Sequence, residues 1–250
     1  MTDASPDAAP DVLGAARLYV ALDTQDLARA EALAAAIAPS GASLKLGLEF
    51  FSAHGPAGVL KVKAQAPASR LFLDLKFHDI PNTVASAVRA AMATEPFMLN
   101  VHAAGGPAML RAAKDAADEE AAKRGLKRPL VIAVTVLTSL DDSDLAAVGQ
   151  TPPAADLVKR LAALTQSCGL DGVVCSAHEA AALRALCGAD FRLVVPGIRP
   201  QGAEVGDQKR VMGPREAILA GASDLVVGRP ITGADNPADA ARAIAADMAG

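Results

Sequence analysis

The segment LFLDLKFHDIPNTV (71–84) sets Asp74 and Lys76 two residues apart in an apolar run, with Asp79 three residues further on. Ionised side chains are costly to bury unless they are paired or put to use. Period-two alternation puts Asp74 and Lys76 on one face of a strand, with Leu73 and Leu75 on the other. Asp23 and Lys45, with Glu49 near the latter, occupy similar places in two earlier apolar runs. Together these residues suggest an alternating lysine–carboxylate cluster in which each charge has an opposite neighbour. Such a cluster is either a structural ion-pair network or the working part of a site.

A phosphate-holding feature favours the second reading. VVPGIRP (194–200) and VVGRPIT (226–232) each set an arginine beside glycine and proline. Glycine lets backbone N–H groups approach an anion, and Arg229 can grip phosphate oxygens through a two-pronged fork. GIRPQGAEVGDQKRVMG (197–213) is long and polar for a loop, and reads as a lid that closes over a phosphorylated substrate. The histidines, His54, His78, His102 and His178, form no HExxH or other close ligand pattern. His102 ends a strand and is placed to line a pocket. Lys45 and Lys76 already supply positive charge, so no metal is expected between them.

These side chains need a scaffold that gathers them. Strand-like runs recur at 18–23, 43–49, 71–76, 97–102, 130–137, 172–176, 192–197 and 224–228, with Ala-rich helical stretches such as 26–38 and 82–93 between them. Eight such units predict a single-domain α/β fold, the (β/α)8 TIM barrel. An open doubly wound sheet fits the count less well, because no GxGxxG follows the first strand. Asp23, Lys45, Asp74, Lys76, His102 and Thr138 all fall at or near C-terminal strand ends, as do Pro196–Arg199 and Gly228–Arg229. On a barrel those ends converge on one mouth, and the loops after strands seven and eight are its usual phosphate site.

Composition narrows the function classes. The 250 residues carry a formal net charge of -4 and no basic runs, which argues against a nucleic-acid partner. One Tyr and no Trp leave no aromatic surface for stacking single strands. Three cysteines without CxxC spacing fit a reducing, cytoplasmic setting and read as small apolar residues. No apolar run is long enough to span a membrane, so no membrane partner is expected. Residues 1–16, acidic and small at their start, read as a flexible leader to a barrel domain over 17–250.

The chemistry that fits is a lysine acid or base, set among carboxylates, acting on a phosphorylated metabolite. Decarboxylation, isomerisation and aldol cleavage all belong to that class. Imine-forming lysines need desolvation, whereas flanking carboxylates favour the ammonium form. The balance moves toward protonation of a carbanion by Lys76.

ALD (21–23), KLGLE (45–49), LDLKFHDIPNTV (73–84), VHAAGG (101–106) and VTVLTS (134–139) together resemble the orotidine 5'-phosphate decarboxylase family. VPGIRPQG (195–202), GDQKRVMGP (206–214) and VVGRPIT (226–232) continue the resemblance in the same order. It implies a cofactor-free, metal-free decarboxylation of orotidine 5'-phosphate to UMP, the last step of de novo UMP synthesis. By the resemblance, Lys76 protonates C6 of the pyrimidine as carbon dioxide leaves, and Asp74 lies against the departing carboxylate. Lys45 and Asp23 contact the ribose and hold the array. Thr138 and Ser139 meet the pyrimidine; Gln208 and Arg229 bind phosphate, supported by Arg199 and the backbone of Gly228. The resemblance also implies a homodimer in which Asp79 and Thr83 reach the partner's ribose site and Ile80 lines it. Two alternatives stay open: a Mg-dependent decarboxylase of a phosphorylated keto-sugar acid on the same barrel, and a non-catalytic barrel that binds a phospho-ligand.

Overall fold

The eight apolar runs become eight parallel strands that close into a barrel in sequence order in the computed structural model, which describes residues 14–199 and 212–250. They are β1 (Leu18–Ala21), β2 (Ser43–Gly47), β3 (Leu71–Phe77), β4 (Met98–His102), β5 (Leu130–Val134), β6 (Gly172–Val174), β7 (Arg192–Val195) and β8 (Asp224–Val227). β8 pairs with β1 to complete the cylinder. Several strands are shorter than predicted: β5 ends at Val134, so Thr138 lies in the following loop, and Asp23 follows the end of β1.

Both faces of each strand are covered, which is why the runs read as nearly continuous apolar sequence. Tyr19, Ala21, Phe72, Met98, Ile132, Val194 and Val226 fill the inside of the barrel. Leu18, Val20, Leu73, Leu99, Val131 and Leu193 face outward into the larger core beneath the helices. Helix α1 (Leu27–Ile37) shows how that outer layer is built. Asp26 caps it by accepting a hydrogen bond from the Arg29 amide at 3.1 Å, and Ala30, Ala34 and Ile37 recur on the buried side. Helix α2 (Leu48–Gln65) follows β2 and is broken by Gly55, whose φ of 58° allows the bend before Pro56. Helix α3 (Pro81–Ala91) begins with proline, which suits a first helical position. Cys168, Cys175 and Cys187 are buried as small apolar groups in the outer core.

The floor of the barrel, at the N-terminal strand ends, is closed by ion pairs. The Arg192 guanidinium grips fully buried Asp224 through two hydrogen bonds of 2.8 and 2.6 Å. Arg128 holds Asp171 in the same two-pronged way at 2.7 Å each, and the Val131 amide adds a third hydrogen bond to that carboxylate. The chemistry-bearing residues collect at the opposite end. No helix among the described residues is long and apolar enough to cross a membrane.

Candidate active site

The mouth opens into a cavity of about 490 Å³. Asp23, Lys45, Asp74 and Lys76 line one side; Thr138 with Val136 and Leu137 line another; Arg199, Gly228 and Arg229 line the rest. Ala21, Phe72, Val174 and Val226, the inner layer of the barrel, form an apolar floor. Residues from seven strands or the loops after them thus meet in a space that no local stretch of chain could build.

The four charges form one connected run. Lys45 Nζ lies 3.1 Å from Asp23 Oδ1 and 3.4 Å from Asp74 Oδ2, and Lys76 Nζ lies 2.7 Å from Asp74 Oδ1. Lys45 and Asp74 are buried, Lys76 is half-buried and Asp23 is exposed at the rim. Burial, the largest single influence, pushes the Asp74 carboxyl upward, and the Lys45 and Lys76 ammonium groups act against it. With hydrogen bonds from Lys76 and Asn100 added, the group sits below the usual carboxylate range. The result is a fixed anion with an ammonium on either side. Gly47 leaves room for the array: a Cβ there would come within 3.2 Å of Lys45 Nζ and 3.6 Å of Asp23 Oδ1.

Asp74 and Lys76 are presented by an irregularity, not by a flat strand. Between the pairs Leu73–Leu99 and Phe77–Val101, β3 spends three residues where β4 spends one. Lys76 takes a φ of 50°, the left-handed region uncommon for a residue with a side chain. A bulge of this kind re-aims side chains beside a site. The one β4 residue opposite it is Asn100, fully buried. Its Nδ2 donates to Asp74 Oδ1 at 2.7 Å, and its Oδ1 accepts from the Lys76 amide at 2.8 Å. Motif reading passed over Asn100; its signal was a lone amide inside the apolar run MLNVH.

The other sequence-derived positions divide into two groups. Arg199 and Arg229 line the same cavity as the charged run, with Gly228 between β8 and the loop after it. Gln208 and most of the expected lid lie outside the described residues. Asp79, Ile80 and Thr83 do not line the chain's own cavity; all three are exposed at the start of α3, and the Asp79 carboxylate accepts from the Ile80 amide at 2.6 Å. Ser139 is exposed next to Thr138 and outside the lining, and Glu49 is exposed in the first turn of α2. His102 does not line the cavity either: its ring packs against His78 at 5.3 Å, and burial, with His78 and Lys76 nearby, holds it below the usual imidazole range. Among the described residues, no three His, Cys, Asp or Glu side chains converge as a metal site.

A closed parallel barrel with a lysine–aspartate run at its C-terminal mouth, and arginines in its last two loops, defines a barrel class equipped to hold a small phosphorylated anion. The chain belongs to the orotidine 5'-phosphate decarboxylase / HUMPS family, whose model matches residues 16–244. It is 56% identical over 233 residues to an orotidine 5'-phosphate decarboxylase of Rhodospirillum rubrum, covering 93% of this chain and 94% of that protein. A Moorella thermoacetica protein of the same name is 53% identical over 233 residues, covering 93% of this chain and 92% of that one. Among solved structures, orotidine 5'-phosphate decarboxylase from Lactobacillus acidophilus superposes with a TM-score of 0.83 at 35% identity, covering 93% of this chain and 99% of that one. An uncharacterised conserved protein from Geobacillus kaustophilus gives 0.79 at 36% identity, covering 92% of this chain and 99% of that one.

Proposed function

We propose that this chain decarboxylates orotidine 5'-phosphate to UMP and carbon dioxide with its own side chains as the only catalytic groups. The observation that carries this reading is the unbroken run Asp23–Lys45–Asp74–Lys76 lining one cavity together with Arg199 and Arg229. Arg229, supported by Arg199, the Gly228 backbone and Gln208, anchors the phosphate. Asp23 and Lys45 meet the ribose, and Thr138 with Ser139 meets the pyrimidine. The substrate carboxylate then lies against Asp74, with C6 beside Lys76.

The C6–carboxylate bond breaks, carbon dioxide leaves, and the electron pair stays on C6 in the ring plane. The Lys76 ammonium stabilises that charge and gives its proton to C6; solvent reprotonates the amine. The apolar floor of Ala21, Phe72, Val174 and Val226 lowers the polarity beneath the charged run, so its fixed charges are screened less than in bulk water. Holding the phosphate at the far rim orients the ring. Asp79 and Thr83, exposed outside their own cavity, serve a partner's ribose site in a homodimer, with Ile80 lining it. A leader over 1–16, a barrel domain over 17–250 and a cytoplasmic location complete the proposal.

Chelator-treated protein incubated with orotidine 5'-phosphate tests the reading. Equal amounts of UMP and carbon dioxide are expected. No turnover, or turnover only after Mg²⁺ is added back, would overturn it.

A further inference from the structure

We propose that Asn100 is the positioning residue of the charged run: its amide clamps the Asp74 carboxylate and the Lys76 backbone together across the β3 bulge. The inference deepens the decarboxylase reading and rests on it for its catalytic consequence. The bulge takes three residues of β3 out of step with β4, so the ladder cannot satisfy the Lys76 amide. Asn100 Oδ1 accepts that amide at 2.8 Å and supports the left-handed φ of 50°. The same side chain sends Nδ2 to Asp74 Oδ1 at 2.7 Å, the oxygen that also receives Lys76 Nζ at 2.7 Å. One amide therefore fixes where the ammonium starts and where its counter-charge sits.

Only a group with a donor and an acceptor in fork arrangement can do both. Leucine would fill the space and leave the Lys76 amide unpaired; aspartate would keep the acceptor and set a second carboxylate against Asp74. Beyond β3, Asn100 touches no charge directly; the groups facing this corner are Lys45 from β2, Asp74 and Lys76 from β3, His102 with His78 packed against it, and Asp23 beyond β1. Two carboxylates at such a distance resist ionising together, so an Asn100→Asp side chain holds a proton shared with Asp74 well above the usual carboxylate range and gives it up toward alkaline pH. Once protonated, it donates to Asp74 as the amide does.

The test compares Asn100→Ala and Asn100→Asp with the wild type. Asn100→Ala is expected to lose ~10²-fold in kcat with KM changed less than about threefold, because the reacting pair is mis-set while the phosphate grip stays. For Asn100→Asp, kcat relative to wild type is expected to rise at least ~10-fold between about pH 8 and about pH 5.5. A purely structural side chain would lower stability without changing the shape of that profile. Two further measurements need no turnover. In Asn100→Ala, ¹³C NMR should show the Asp74 carboxyl titrating higher than in the wild type, and the Lys76 amide should exchange with solvent at least ~10-fold faster. The clamp is overturned if Asp74 titration and Lys76 exchange are unchanged, or if both variants keep wild-type kcat and pH profile. A wild type with no turnover would instead remove the decarboxylase reading, and the two NMR measurements would still decide the clamp.

Discussion

Asp74 receives Lys76 Nζ and Asn100 Nδ2 on one oxygen and faces Lys45 with the other, so its charge is held from three sides. Removing Lys76 takes away both the proposed proton donor and the nearest cation. Lys76→Ala should lose at least ~10³-fold in single-turnover decarboxylation; a rate within tenfold of wild type would reject its role. The pH dependence of stability follows from the same contacts. The folded-state carboxyl lies below its ordinary value, so the unfolded chain takes up the proton first on acidification. The stabilisation is present above about pH 4 and is lost as pH falls through the folded-state value. Calorimetry from neutral to acid pH should show a Tm that falls below about pH 4, with a shallower fall in Asp74→Asn. An identical acid slope in the variant would contradict the assignment.

Strands β7 and β8 are tied at the floor by Arg192 and Asp224, and this pair bears on the fold, not on the chemistry. Asp224 has no exposed surface, so truncating its partner strands a buried carboxylate. Arg192→Ala should cost about 3–5 kcal/mol of unfolding free energy, read from denaturant midpoints. A loss below about 1 kcal/mol would mean that water reaches the carboxylate. Gly172 on the neighbouring strand belongs to the same floor: a Cβ there would lie 2.3 Å from the Arg192 carbonyl oxygen, closer than packing allows. The strand pattern was legible because parallel strands buried on both faces read as apolar runs. The bulge in β3 was not, because alternation assigns faces only while the ladder keeps step. LFLDLK alone carries no mark of three residues set against one.

As a whole, the molecule places its exposed Asp79, Ile80 and Thr83 outside the cavity that holds Lys76. If Asp79 serves a partner, defects in the two residues must complement. Lys76→Ala and Asp79→Ala chains are each expected to be nearly inactive alone. Mixed in equal amounts and allowed to exchange, they should recover about a quarter of wild-type activity, since half the dimers are mixed and each holds one intact site. No recovery despite confirmed exchange would refute a shared site.

The barrel was readable from residue types and spacing, and the family from the resemblance of its motif blocks. Eight apolar runs leave few ways to cover both faces, and side chains that follow strand ends meet at one mouth in any closed parallel barrel. Tertiary structure was needed for distances and direction. The β3 bulge turns Lys76 onto Asp74, Asn100 comes from the next strand to hold both, and His102 packs on His78 outside the cavity. Each of these depends on how neighbouring strands fall into register. Register is a property of the paired backbones, so a strand read alone cannot contain it.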